Sequence, residues 1–361
     1  MYIYIIILLL LILFGYFEVK GYLQKYKDKF FYFMLICITL LGGLRYKIGS
    51  DYESYMVNYI NWPNIFKYKY SNISPYEIGF SYLYAILKTF NFKYYVMFFL
   101  VFFFTIFILF FKAKKVTNYY FIMLLGYFCI YLFPVSFTII RQGIVLSLSA
   151  FSIRYIKEKK FFKFLTIIIL GSFFHSSILI VLPFYFFANK NYSKKVLFAV
   201  ILFCLVLTRI DIVSLVFKYL GFMLPKFFYY KLKVYTYELT QFRTSEYVKL
   251  FKLFVKLLVC LLGILIKDRV KDKYFNISLN ACIYGLIIYS FFYSSNLFAS
   301  RLSFNLEVFS LYLYPYFVNV FDKESKGWIY LALVLYFCSL FLYFIYKYKV
   351  NFLPYKTIFG V

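Results

Sequence analysis

A chain of 361 residues that is 64% hydrophobic and 27% aromatic, with a mean hydropathy of +0.78, cannot fold as a water-soluble domain, because no core of that size hides so much apolar side chain. Its net charge of +27, from 41 Lys and Arg against 14 Asp and Glu, would suit nucleic acid, but the lysines lie in short segments between apolar runs. They therefore read as membrane orientation and attraction for anionic lipid, with no nucleic-acid partner.

Apolar runs recur along the whole length without the alternation of a barrel strand. This predicts an all-α, polytopic transmembrane helical bundle of about 12 spans, some short or re-entrant, forming a single integral membrane domain over 1–361. The first run, 2–17, lacks a basic leader and a small-residue cleavage site, and is read as a retained helix. The runs that follow are 30–44, 94–111, 118–136, 142–156, 161–174, 176–188, 195–209, 247–267, 275–297, 303–321 and 327–346. The pair 161–174 and 176–188 could equally be one long span. Six cysteines, each inside an apolar run and none in a CxxC pair, read as small buried residues. Abundant Phe, Tyr, Ile, Lys and Asn also follow from an AT-rich coding sequence, so aromatic stripes are not taken as carbohydrate platforms.

Orientation follows from charge. The connections 18–29, 112–117, 154–163, 189–195, 267–274 and 322–326 hold 21 Lys and Arg in 48 residues, whereas 45–93 and 210–247 hold 11 in 87, a density more than threefold lower. The first set is therefore cytoplasmic, and both termini lie outside. Segment 77–92 is apolar but short, and is read as an interfacial or re-entrant helix within the outer loop 45–93. The outer loop 210–247 is expected to carry amphipathic helices along the surface.

On this topology five polar features share the outer side. They are Arg45 with Asp51 in GGLRYKIGSDYESY, where glycines loosen the backbone; Glu77 in YEIGF; Arg141 and Gln142 in IIRQGIVLSLSAF; His175, the only histidine, in FFHSS; and Arg301 in NLFASRLSFNLE. Each has a plainer reading. Arg45 fits a snorkelling anchor, Asp51 and Glu77 fit helix caps, and His175 fits a locally bonded core histidine. Arg141 and Arg301 resist such readings, because a charge within apolar sequence costs several kcal/mol unless it is paired or faces water. Three arginines with few carboxylates imply an anionic ligand, and their planar forks suit phosphate oxygens. The expected site holds a lipid-linked diphosphate through Arg141, Arg301, Arg45 and Gln142, while His175, Asp51 or Glu77 takes the proton of an attacking hydroxyl. No DxD, HExxH or paired His and Cys occurs, so no metal and no cofactor are expected. The absence of GxSxG and Walker loops argues against hydrolases and ATPases.

The order GGLR…GSDY, EIGF, RQG, FHSS and a late SRL resembles the EpsG family of bacterial exopolysaccharide proteins, which is similar to the Wzy-type O-antigen and capsule polymerases. The likeness runs over about residues 30–320 and carries the family's polar residues onto Arg45, Asp51, Glu77, Arg141, His175 and Arg301. It implies a membrane-embedded glycosyltransferase joining undecaprenyl-diphosphate-linked oligosaccharide repeats, as both donor and acceptor, at the outer face of the bacterial cytoplasmic membrane. A chain-length regulator and a flippase are the protein partners such an enzyme implies. A ligase moving finished glycan from the same carrier would need the same arginines and histidine. A flippase predicts duplicated architecture, which the sequence lacks. An acyltransferase using His175 would need an acyl donor site on the inner side.

Overall fold

The computed structural model describes residues 1–22, 24–70, 74–111, 113–220 and 244–360. These residues are helical almost throughout, and no β-strand forms beyond a single bridge between Arg45 and Thr357. The expected amphipathic helices of 210–247 fall mostly on 221–243, outside the described residues; the part that is described is one helix, Ile212–Leu220.

The chain divides into two compact units, one of 1–152, 162–179 and 314–361, the other of 153–161 and 180–313. The first begins with α1 (Tyr2–Lys20), α2 (Lys27–Gly43), α3 (Tyr52–Asn61), α4 (Ile78–Thr89) and α5 (Tyr94–Phe110). A short turn, α6 (Ala113–Val116), leads to α7 (Tyr120–Ile130), and α8 (Ile140–Lys157) and α9 (Phe161–Ser172) follow. Helix α1 packs on α7 and on the C-terminal helix Lys323–Lys347, and α2 lies along α5. In the second unit the helix Lys273–Phe291 is the centre, packed by Val181–Ala188, Lys194–Leu207, Glu246–Ile266 and Asn296–Glu307.

Four helices, beginning at Tyr2, Tyr94, Lys273 and Lys323, are long and apolar enough to cross a membrane among the described residues. The expected run 118–136 makes a fifth if counted as one span, but it is broken into α7 and a π-helical stretch, Leu132–Thr138, with a bend of 71°. Pro134 lies inside that stretch, where it cannot donate to the ladder. The remaining expected runs form helices too short for a bilayer crossing of about 20 residues, or helices that carry several charges. Run 161–174 is twelve-residue α9, and 176–188 splits into a 3₁₀ turn and the helix Val181–Ala188.

The loop after α2 is fixed by three main-chain hydrogen bonds. The Tyr46 N–H donates to Lys356 O at 2.9 Å, the Ile358 N–H to Leu44 O at 3.0 Å and the Gly49 N–H to Asn351 O at 3.0 Å, so the C-terminal segment straps it down. Gly49 has φ +109°, and a Cβ there would stand 2.1 Å from Phe137 O on the π-helical stretch. Glycine is used here for close approach and left-handed backbone rather than for looseness. Gly49→Ala is expected to cost about 3 kcal/mol or more. A thermal melt of the purified variant in detergent checks this, with no loss expected for the exposed control Trp328→Phe.

Candidate functional site

Glu77 stands at the N-cap position of α4, yet its side chain makes no cap bond to its own helix. The carboxylate instead reaches across the unit. Its Oε2 pairs with Arg141 Nη1 in the first turn of α8, and its Oε1 accepts from the Ser176 N–H at 3.2 Å, in the turn that follows α9. Three separate stretches of sequence thus meet at one carboxylate. The turn itself is pinned to α4 by the backbone, because the Gly79 N–H donates to Phe173 O at 2.8 Å. A Cβ on Gly79 would lie 2.8 Å from that same oxygen, which accounts for the glycine in EIGF.

Arg141 is enclosed by rings. Its guanidinium carbon lies 4.8 Å from the Tyr76 ring centroid and 5.9 Å from that of Phe80, and its Nε donates to the Tyr55 hydroxyl at 3.5 Å. Among the described residues no hydrogen bond is made by Nη2. Burial raises the Glu77 pKa, but the Arg141 guanidinium and then His175 outweigh it and hold the carboxyl below its ordinary value. Glu77 is therefore ionised at neutral pH and a weak proton acceptor.

His175 is half-buried in the same turn. The Ser177 N–H donates to its Nδ1 at 3.2 Å, and the Ser177 hydroxyl lies 2.8 Å from that nitrogen. A main-chain N–H can only donate, so the neutral ring carries its proton on Nε2. Asp51 caps α3 by position but not by side chain, and accepts from the Ser50 hydroxyl at 3.1 Å. Tyr55, one turn further along the same face of α3, is the residue that touches Arg141. Gln142 is buried beside Arg141, with its N–H donating to Ile139 O at 2.8 Å.

Arg45 is placed differently from the expectation. It is fully buried, at 0% exposure. Its three nitrogens bond to main-chain carbonyls: Nε to Ile48 O at 3.2 Å, Nη2 to Phe137 O at 3.4 Å, and Nη1 to Gly42 O. The rings of Phe137 and Phe98 stand 4.8 and 5.2 Å from its guanidinium carbon. It orients no carboxylate and turns no fork outward. It ties the end of α2 to the π-helical stretch.

Arg301 belongs to the other unit, on the helix Asn296–Glu307, where its carbonyl accepts from Asn305 Nδ2 at 3.4 Å. The residue before it, Ser300, accepts from Lys252 Nζ at 3.0 Å, and Asn296 Oδ1 lies 3.4 Å from the same ammonium. Lys252 is one of a row. Lys249, Lys252 and Lys256 lie at spacings of three and four on the helix Glu246–Ile266, and so share one face. Lys249 pairs with Glu246 at 3.4 Å, and Lys256 pairs with Glu307. The sequence does not set this row apart, because the apolar residues around it dominate the segment, although its lysine spacing is visible.

The model of one protein family, described as the EpsG family, matches residues 28–357. This chain belongs to the EpsG family. The family is one of Wzy-like polysaccharide polymerases, and all five polar features above fall inside the matched region. No curated protein and no solved structure matches the chain. Among the described residues of this EpsG-family chain, the first unit brings together Glu77, Arg141, Ser176 and His175, with Tyr55 linking them to the helix that Asp51 opens.

The ion pair makes two predictions. Arg141→Ala or Glu77→Ala alone is expected to cost about 2 kcal/mol, because each strands a half-buried charge, and the double variant should cost less than the two losses added together. A double-mutant cycle of melting temperatures in detergent measures this. The pH dependence has a defined sign. Since the folded pKa of Glu77 is lowered, its stabilisation is complete above its unfolded value of about 4.5 and is lost as pH falls through the folded value. Glu77→Gln should therefore flatten the acid limb of the stability curve below about pH 4.5 and leave its shape above pH 6 unchanged.

Proposed function

We propose that this chain is a glycosyltransferase that lengthens a bacterial polysaccharide from undecaprenyl-diphosphate-linked oligosaccharide repeats, in O-antigen, capsule or exopolysaccharide synthesis. The membership of the EpsG family supports the polymerase class. The observation that carries the site is the pairing of Arg141 to Glu77 through one guanidinium nitrogen, with Nη2 left unbonded among the described residues. A fork held rigidly at one end offers its other end to a phosphate oxygen with little ordering cost.

In this reading the growing chain, on its lipid diphosphate, is the donor. A hydroxyl of a single lipid-linked repeat attacks the anomeric carbon of the donor sugar. A new C–O bond forms, the bond from that carbon to the phosphate oxygen breaks, and the lipid diphosphate departs with the electron pair. Arg141 Nη2 meets the charge that develops on the leaving group, and the Nε2–H of His175 donates to it. Asp51, whose carboxylate has only the Ser50 hydroxyl as a side-chain partner among the described residues, takes the proton of the attacking hydroxyl. Glu77 positions Arg141 rather than moving a proton. Arg301 is proposed as a diphosphate ligand on the family resemblance alone. The reading puts this chemistry at the outer face of the cytoplasmic membrane, in a bundle of about 12 crossings in which short helices in tandem complete some spans. A flippase that delivers repeats and a regulator of chain length are its expected partners.

Arg141→Ala and Arg301→Ala, each in a strain that makes the polymer, are expected to abolish long chains with protein level and melting behaviour checked in parallel. Arg141→Lys should restore the charge without restoring normal length, since an ammonium lacks the planar fork that grips Glu77 along one edge and holds the other in a fixed direction. Gel analysis of polymer length reads the outcome. Normal chains from folded Arg141→Ala protein would remove Arg141 from the reaction.

A further inference from the structure

The geometry points to a glycan-binding shelf formed by Trp62, Tyr68 and Tyr76, adjoining the Arg141–Glu77 pair, that takes pyranose rings of the saccharide. The inference rests on the reading of the chain as a saccharide polymerase and adds the surface on which the sugar lies. Tyr76 is the ring under the Arg141 guanidinium, 4.8 Å away. Trp62 stacks on Tyr76 with centroids 5.8 Å apart and planes at 29°, and it lies against Tyr68 at 5.4 Å and 35°. Tyr68 in turn meets the edge of Tyr82 at 5.4 Å. Asn58 Nδ2 donates to the Tyr76 hydroxyl at 2.8 Å and fixes that ring. A run of packed rings therefore starts at the ion pair, where Tyr76 is buried, and ends at the exposed Tyr82.

Two atoms do not fit a purely packing role. The indole Nε1 of Trp62 and the hydroxyl of Tyr68 are both buried, and neither has a hydrogen-bond partner among the described residues. Native interiors pair nearly all such groups, and a ligand is one way to complete an exception. A pyranose has the matching chemistry. Its C–H face is apolar and lies flat on a ring, while its equatorial hydroxyls reach the ring's edge, where an indole N–H donates and a phenol both donates and accepts. A lipid tail would leave both polar atoms unpaired, and a diphosphate would need cations that these three residues do not supply. Since both atoms are covered, binding parts the Trp62–Tyr68 contact and a sugar ring takes its place.

The chain has two tryptophans, and Trp328 is 75% exposed on the C-terminal helix, so Trp328→Phe leaves Trp62 as the sole reporter. Full-length W328F protein in lipid nanodiscs is titrated with maltotriose, with chitotriose and with fragments cut by mild acid from the polymer of the cell that makes this protein. At least one probe should change Trp62 emission saturably. Tyr68→Phe in the same background should weaken that binding about fivefold, by loss of one hydrogen bond. It should also shorten the polymer in cells, while melting at the same or a higher temperature because an unpaired buried hydroxyl is gone. A residue that only packs would leave binding and chain length unmoved by Tyr68→Phe, and that result, or silence of Trp62 towards all three probes, overturns the shelf. The two readings fail separately. If deleting the gene leaves the cell's polymer unaltered, the polymerase reading falls whatever Trp62 does. If the polymer depends on the chain while Trp62 stays silent, only the shelf falls.

Discussion

The Glu77 carboxylate joins three separate stretches of the first unit. Its two oxygens reach the first turn of α8 and the turn after α9, and its own backbone opens α4, so one charge fixes three stretches that lie far apart in the chain. In an apolar surrounding neither Glu77 nor Arg141 is stable alone, and each is the reason the other can be there. The cost of placing this pair among aromatic rings is met by geometry: the guanidinium lies over Tyr76 and against Tyr55, and a main-chain N–H from Ser176 completes the carboxylate. An ion pair so fully supported leaves a cationic edge in a defined direction, which is what recognition of a phosphate requires.

Much of this was legible in the sequence, for identifiable reasons. The ends of α2, α4, α5, α8 and the helix Glu246–Ile266 fall within a few residues of the apolar runs, because long apolar stretches flanked by lysine have few alternatives. Glu77, Arg141 and His175 stood out because charge and histidine are rare in such a chain, and the structure gathers them. Arg45 stood out for the same reason and serves a different end. Sequence marks a buried arginine as exceptional but does not distinguish one that faces a ligand from one that holds carbonyls together, since the carbonyls of Gly42, Ile48 and Phe137 carry no signal in the residue letters. The bend between α7 and the π-helical stretch was likewise invisible, because the run 118–136 is continuously apolar and only Pro134 hints at a break.

The aromatic residues teach a related lesson. With 52 Phe and 43 Tyr in the chain, composition cannot single out a sugar-binding ring. Burial and pairing help, because many of the tyrosines described here either bond or face outward, whereas Tyr68 and Trp62 hide polar atoms that nothing meets among the described residues. The lysine row on Glu246–Ile266 shows the converse. Its three ammonium groups were plain in the sequence at spacings of three and four, but an average hydropathy dilutes them, and their partners Glu246, Ser300 and Glu307 give them meaning only after folding.

Reconstitution tests most directly whether a fork fixed by Glu77 serves a transfer between two lipid-linked saccharides. Purified protein in liposomes, supplied only with undecaprenyl-diphosphate-linked repeats and no other acceptor, should convert them to a ladder of lengths with release of the lipid diphosphate. Repeats that stay single, or that are carried across the bilayer without being joined, would contradict it.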